Sequence, residues 1–195
     1  MTVGPQELSA LILAGGRATR LGGIDKRTIV IDGATIFDRQ CAVLLPRVAE
    51  IIVSTSRSIS GYRTVQDAAS NAGPLAGVAA GLAASRTRWL FIVAGDMPYI
   101  TGALIDHMLE RASSDIDAVG IRMGDAPEPL VALLHVPTCL PVVERRIAAG
   151  ELKASALLTD AGLRVAWLDD NDVRAIDPEL RVLRNVNTPG DIRSC

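Results

Sequence analysis

Short apolar runs alternate with segments of helical periodicity through the first half of this chain. Strands are predicted at "SALILA", "EIIVSTS" and "WLFIVAGDMP", with a shorter one at "YRTVQD", because unbroken apolar runs of this length are typical of strands buried in a parallel sheet. Helices are predicted over 35–48, with Thr35 as N-cap, over 73–87 and over 102–113. This alternation predicts a three-layer α/β/α sandwich around a mostly parallel sheet.

The second half is less regular. The segments "DAVGIRM" and "PLVALLHV" read as two strands joined by a polar connection, and such a pair favours an antiparallel arrangement and a mixed sheet. The segments "CLPVVERRIAAG" and "ASALLTDAG" are predicted to be helical, and "RVAWLDD" a late strand. Because no internal repeat or Gly/Ser-rich linker interrupts the chain, residues 1–195 are expected to form a single domain.

Composition and charge narrow the class of protein. The chain has 195 residues and a formal net charge of −2 with scattered basic residues, which argues against nucleic acid as a partner. Cys41, Cys139 and Cys195 form no CxxC pair, so neither a zinc site nor a disulfide framework is expected. No leader with a basic and then an apolar part occurs, and no apolar run reaches about 18 residues, so no membrane association is predicted. We expect a cytoplasmic protein.

A basic, glycine-rich loop follows the first predicted strand, in "LILAGGRATRLGGIDK". Its glycines permit positive φ, so backbone N–H groups can converge on an anion. Arg20 and Lys26 are spaced so that both can contact one polyphosphate, whereas Arg17 is expected to be solvated. The spacing matches neither the P-loop pattern nor GxGxxG, which argues against a P-loop NTPase or an NAD enzyme. The alternative is a plain surface turn.

Asp96 ends the most apolar predicted strand, in "VAGDMP". A carboxylate at the carboxyl end of a buried strand is well placed to hold Mg²⁺ against phosphate oxygens. An Asx turn or helix cap before Pro98 is the alternative. Asp67, at the end of "YRTVQD", is a weaker candidate of the same kind.

Two amides alternate near the end of the chain, in "RNVNTP". In an extended segment, Asn185 and Asn187 point the same way and can read a ligand's donors and acceptors. A turn-capping role explains the same residues equally well.

Several motifs together resemble one enzyme family. The segments "LAGGRATRLGGIDK", "GPLAG", "GDMPYI", "PLVALL" followed by "AAGELK", and "NVNTP" occur in the order and at the spacings of the molybdenum cofactor guanylyltransferases. The resemblance runs from about Ser9 to Ile192. It implies a Rossmann-like, glycosyltransferase-A-like nucleotidyltransferase fold. It also implies transfer of GMP from GTP to molybdopterin that carries molybdenum, with release of pyrophosphate.

The resemblance also implies roles for individual residues. It assigns phosphate contacts to Lys26 and Arg20, and contacts to both GTP and Mg²⁺ to Asp96. Further nucleotide contacts fall on Leu13, Ala14, Gly15, Gly16 and Asp67, and contacts on the molybdopterin side on Lys153, Asn185 and Asn187. Molybdenum-insertion proteins and molybdoenzyme chaperones are the further partners it suggests.

Two positions depart from the family pattern. Ser54 stands where some members have an asparagine that contacts the nucleotide, and its shorter reach puts this contact in question. Glu128 and Pro129 stand where a histidine is expected before "PL", a change that can alter the acceptor pocket.

Three alternatives to guanylyl transfer stay open. A cytidylyltransferase acting on the same cofactor and a sugar-1-phosphate nucleotidyltransferase use the same chemistry. The "LAGG" of residues 13–16, in place of the "LAAG" usual in cytidylyl relatives, favours guanine. A non-catalytic nucleotide sensor is a third reading, and the presence of both Lys26 and Asp96 counts against it.

Overall fold

A mixed β-sheet forms the centre of the fold. The structure is a computed structural model that describes residues 3–14, 26–66 and 73–186. The strands are β1 (Leu8–Leu13), β2 (Val30–Ile31), β3 (Ala34–Thr35), β4 (Glu50–Ser54), β5 (Arg63–Val65), β6 (Trp89–Ala94), β7 (Ala118–Met123), β8 (Ala126–His135) and β9 (Val165–Leu168). Among these residues, seven strands pair in the order β5-β4-β1-β6-β8-β7-β9, and β2 and β3 form a separate hairpin.

The direction of the strands follows the prediction. β5, β4, β1 and β6 pair in parallel, and so do β7 and β9. β8 runs antiparallel to both of its neighbours, β6 and β7, so the predicted antiparallel pair and the mixed sheet are confirmed. Because β8 is reversed, its first residues lie at the edge where the parallel strands end.

Helices cover both faces of the sheet. They are α1 (Ile36–Leu44), α2 (Gly73–Ala84), α3 (Gly102–Arg111), α4 (Val136–Ala148) and α5 (Asp170–Ile176). Buried residues of α3 and α5, with Cys41 and Leu44 of α1, pack in one apolar core, and those of α2 and α4 pack in a second core. Successive side chains of β1 point alternately into the two cores, as period-two alternation requires. The predicted three-layer sandwich is therefore confirmed.

The beginning of α1 follows its sequence signals. Thr35 Oγ1 accepts the amide of Asp38 at 3.0 Å and caps the helix as predicted. The helix ends at Leu44, before Pro46, which cannot continue a helix without loss of a hydrogen bond. Among the described helices, none is long and apolar enough to cross a membrane.

The helix predicted at "ASALLTDAG" is wrong. Only a 3₁₀ turn forms there, over Ala154–Ala156. The carboxylate of Asp160 accepts the amide of Gly162 at 2.9 Å, which forms a turn inside the segment.

The pattern predicts no element where α5 forms. The signal for this helix is a capping box. The Asp169 carboxylate accepts the amides of Asn171 and Asp172, at 2.8 and 3.0 Å, and the Asp172 carboxylate accepts the amide of Asp169 at 3.1 Å.

Candidate active site

The carboxyl ends of three parallel strands bring four of the predicted site residues together. Leu13 pairs with Ser54 of β4 on one side and with Ala94 of β6 on the other. The amide of Ala14 donates to the Ser54 carbonyl at 3.0 Å, so β1 enters the glycine-rich loop beside Ser54. Asp96 follows β6 at the same edge. This edge of an open α/β sheet is where such folds bind ligands.

Gly95 allows the loop that contains Asp96, residues 95–99, to lie against the end of β1. We call this segment the Asp96 loop. Its amide donates to the Leu13 carbonyl at 2.9 Å. A Cβ atom at this position would lie 3.0 Å from that carbonyl oxygen and 3.2 Å from the Ala14 Cα. Because both neighbours are backbone atoms, a side chain here would push the loop away from β1.

Two polar side chains of α1 donate hydrogen bonds to backbone carbonyls on either side of Asp96. Gln40 is only 1% exposed, and its Nε2 donates to the carbonyls of Ala94 and Met97 at 2.8 and 3.0 Å. Arg39 Nε donates to the carbonyl of Pro98 at 3.2 Å. Neither residue is a sequence-predicted site residue. In the sequence, only their polarity distinguishes them from neighbouring helix residues. The buried apolar residues of the same helix are Ile36, Cys41 and Leu44.

The C-terminal end of the described chain, residues 184–186, reaches the same edge of the sheet, and we call it the tail. The Val186 amide donates to the Asp96 carbonyl at 2.8 Å, although the two residues are far apart in the sequence. Val186 is buried and Asn185 is exposed, as expected for an extended segment with one buried side. Asn187 lies outside the described residues.

Glu128 lies near Asp96. β6 and β8 pair antiparallel as far as Val93 opposite Val131, so the first residues of β8 lie beside the loop that follows β6. Burial raises the pKa of Glu128, and the negative charge of Asp96 raises it further. The position that departs from the family pattern is therefore part of the candidate site.

Of the remaining predicted site residues, the structure describes the positions of Lys26 and Lys153. Lys26 begins a 3₁₀ turn over Lys26–Thr28 after the glycine-rich loop. Lys153 is exposed, precedes the turn Ala154–Ala156 and makes no ion pair with another described residue, so no contact joins it to Asp96. Five predicted site residues lie outside the described ranges: Gly15, Gly16, Arg20, Asp67 and Asn187.

The arrangement supplies the elements of a phosphate and cation site. Asp96 follows β6, and Glu128 of the neighbouring strand β8 lies close enough for the charge of Asp96 to raise its pKa. A basic, glycine-rich loop leaves the other neighbour of β6, strand β1. Among the described residues, no group of three or more His, Cys, Asp or Glu side chains could hold a metal ion. A site with one or two carboxylates suits a cation that is shared with the phosphates of a nucleotide.

Fold and site together define a nucleotide-binding α/β protein. Residues 10–165 match the model of the MobA-like NTP transferase domain. The chain belongs to this family, and it is an enzyme of the nucleotidyltransferase class.

Individual relatives agree with this assignment. A probable molybdenum cofactor guanylyltransferase of Methanosarcina acetivorans is 33% identical over 202 residues, which cover 95% of this chain and 88% of the relative. A molybdenum cofactor guanylyltransferase of Pseudomonas putida strain GB-1 is 36% identical over 170 residues, with 84% and 88% covered. The resemblance to molybdenum cofactor guanylyltransferases predicted from the motifs is confirmed.

A solved structure supports the fold. The crystal structure of molybdopterin-guanine dinucleotide biosynthesis protein A from Archaeoglobus fulgidus superposes with a TM-score of 0.79 and 24% identity over 95% of each chain. At this level of identity the likeness establishes the shared α/β fold, and the predicted fold class is confirmed.

Proposed function

We propose that this chain transfers GMP from GTP to molybdopterin that carries molybdenum, which yields molybdopterin guanine dinucleotide cofactor and pyrophosphate. Two relatives with at least 33% identity bear the name of this activity. Their alignments cover most of both chains, so the proposal concerns the whole sequence.

One observation carries the proposal. The hydrogen bond from the Val186 amide to the Asp96 carbonyl, 2.8 Å long, joins the residue that follows Asn185 to the loop that we assign to the phosphates. A nucleotidyl transfer needs two substrates in contact at one phosphorus atom, so the groups that bind them must meet. The bond between Val186 and Asp96 supports the proposal that Asn185 and Asp96 bind the two substrates.

The proposed reaction brings the anionic phosphate of the acceptor up to the anionic triphosphate of GTP. An oxygen of the acceptor phosphate attacks the α-phosphorus of GTP, and the bond from this phosphorus to the oxygen bridging to the β-phosphate breaks. That oxygen keeps the electron pair, and pyrophosphate leaves. Lys26 and Arg20 offset the charge repulsion, and amides of the loop with Gly15 and Gly16 hold the β- and γ-phosphates. No covalent enzyme intermediate is required.

Mg²⁺ fits the donors at the site. Asp96 and the nearby Glu128 offer carboxylate oxygens, the ligands that Mg²⁺ prefers, and the small number of protein ligands leaves positions for phosphate oxygens and water. When bound, the ion would neutralise charge on the phosphates. Asp96 is its proposed main ligand.

The other predicted residues divide between the substrates. We assign Leu13, Ala14, Ser54 and Asp67 to the nucleotide, because the first three lie at the end of parallel strands beside Asp96. We assign Asn185, Asn187 and Lys153 to the acceptor. The cytoplasmic location and the contacts with insertion proteins and chaperones stay predictions.

Pyrophosphate release with different nucleotides tests the proposal. The purified protein is incubated with Mg²⁺, molybdenum-loaded molybdopterin, and either GTP or CTP. Release with GTP is expected. Release with CTP alone would contradict the guanine assignment, and release with neither nucleotide would favour a nucleotide sensor.

Two variants test the assigned roles. Asp96→Ala and Lys26→Ala are each expected to lower kcat by about 100-fold or more, because each removes a charge that stabilises the transition state. Asp115→Ala is the control, since Asp115 is exposed and precedes β7 at the opposite edge of the sheet. Near-normal turnover by Asp96→Ala with Mg²⁺ would show that its metal role is wrong.

A further inference from the structure

A small apolar cluster lies apart from the two cores of the sheet. It consists of the buried side chains of Ile29, Ile31, Ile36 and Val186, with Tyr99 packed against them. Val186 is 1% exposed and Ile36 is fully buried, so the cluster excludes water although it contains few residues. We call it the tail cluster.

The tail cluster joins three segments that carry site residues. Ile29 directly follows the turn Lys26–Thr28. Tyr99 belongs to the loop of Asp96, and Val186 separates the two tail asparagines. The cluster therefore lies where the phosphate side and the tail of the candidate site meet.

Hydrogen bonds fix the backbone around the tail cluster. Arg39 donates from Nη1 to the Ile31 carbonyl and from Nε to the Pro98 carbonyl, both at 3.2 Å, and so ties the hairpin to the Asp96 loop. Val186 adds the bond from its amide to the Asp96 carbonyl. A single hydrogen bond sets a distance but leaves the tail free to pivot, and a buried side chain removes this freedom.

We propose that Val186 is a positioning residue for the acceptor substrate. Its side chain, held in the tail cluster, fixes the exposed Asn185 relative to Asp96. This inference rests on the proposed function and goes beyond it, because it assigns the geometry of the acceptor side to an apolar residue that touches neither substrate.

Steady-state kinetics of Val186→Ala test the inference. The KM for molybdenum-loaded molybdopterin is expected to rise about tenfold, because small misplacements of a binding group are costly. The Kd for GTP, measured by calorimetry with Mg²⁺, should stay within about twofold, since its proposed contacts lie in the β1 loop and on Asp96. Val186→Ile, which keeps a β-branched apolar side chain in the cluster, should keep the KM within about threefold of wild type.

A matched control separates positioning from packing. Val143→Ala makes the same truncation at a fully buried site of α4, in the core on the sheet face covered by α2 and α4. It should lose stability but keep the wild-type KM. If Val186→Ala does not fold, Ile31→Val removes one methyl group from the cluster and should raise the same KM about threefold.

A double-variant cycle of Asn185 and Val186 adds a measurement that a purely structural role of Val186 would not affect. If Val186 acts through Asn185, the effects of Asn185→Ala and Val186→Ala on the KM should be less than multiplicative. A wild-type KM in Val186→Ala, or an equal rise in the Kd for GTP, would overturn the inference. If the wild-type protein releases no pyrophosphate with any nucleotide, the proposed function is wrong. The inference about Val186 is then wrong as well, because it rests on that function.

Discussion

Gln40 gives the sharpest test of how the fold holds the Asp96 loop. The side chain is 1% exposed, and its Nε2 donates to the carbonyls of Ala94 and Met97, on either side of Asp96. Gln40→Met keeps the length of the side chain and about its volume, and it removes the donor. The variant therefore isolates the two hydrogen bonds from the packing.

The magnitude follows from the number of groups left without partners. Only the Met97 carbonyl is left without a donor, at a cost of about 1–3 kcal/mol, because the Ala94 carbonyl still accepts the Met97 amide at 3.3 Å. The Gln40 Oε1 is itself buried with no partner among the described residues, so its removal offsets about 1 kcal/mol. We expect a net loss of about 1 kcal/mol, which corresponds to about 2–4 °C in Tm for a chain of this size.

Urea unfolding and steady-state kinetics check both consequences. Gln6→Met is the control, because Gln6 is exposed in a 3₁₀ turn before β1 and its replacement should change the free energy of unfolding by less than about 0.5 kcal/mol. In Gln40→Met, kcat should also fall about tenfold as the Asp96 loop relaxes. A loss of stability equal to that of the control would refute the energetic reasoning. A loss of about 1 kcal/mol with unchanged kcat would refute the link to Asp96.

Two further predictions concern charged residues. The Asp160 carboxylate accepts the amide of Gly162 and pairs with Arg145 and Arg146, which together lower its pKa to about 2. Because this folded-state pKa lies below the value of about 3.9 for an unfolded chain, the stabilisation is present above about pH 4 and is lost as the pH falls towards 2. Asp160→Asn should flatten the stability profile in that window, measured by urea unfolding at several pH values, and an unchanged profile would contradict the assignment. Glu128→Gln should raise the Mg²⁺ concentration for half-maximal GTP binding about tenfold if Glu128 helps to hold the cation, and an unchanged Mg²⁺ dependence in calorimetry would exclude this role.

The architecture could be predicted because it depends on local patterns. Unbroken apolar runs identified the parallel strands, and Thr35 and Pro46 marked the limits of α1. Asp96 stood out since a carboxylate at the end of a buried strand is a poor packing residue. These signals lie within a few residues of the feature that they predict, and tertiary contacts did not override them.

The supports of the site could not be predicted in the same way. Gln40 matters because α1 packs under the Asp96 loop, and Val186 matters because the tail returns to that loop. Both facts depend on contacts between distant parts of the chain. A buried glutamine and a tail valine have no local signature that separates them from ordinary helix and loop residues.

Asp96 and Glu128 bring two like charges together in the proposed site. Nearby like charges repel, and the raised pKa of Glu128 reflects burial together with this repulsion. A sequence that keeps such a conflict usually gains something from it at a functional site. A divalent cation between the carboxylates and the phosphates of GTP would convert the repulsion into binding energy, and this explains why glutamate is acceptable where the family pattern predicts histidine.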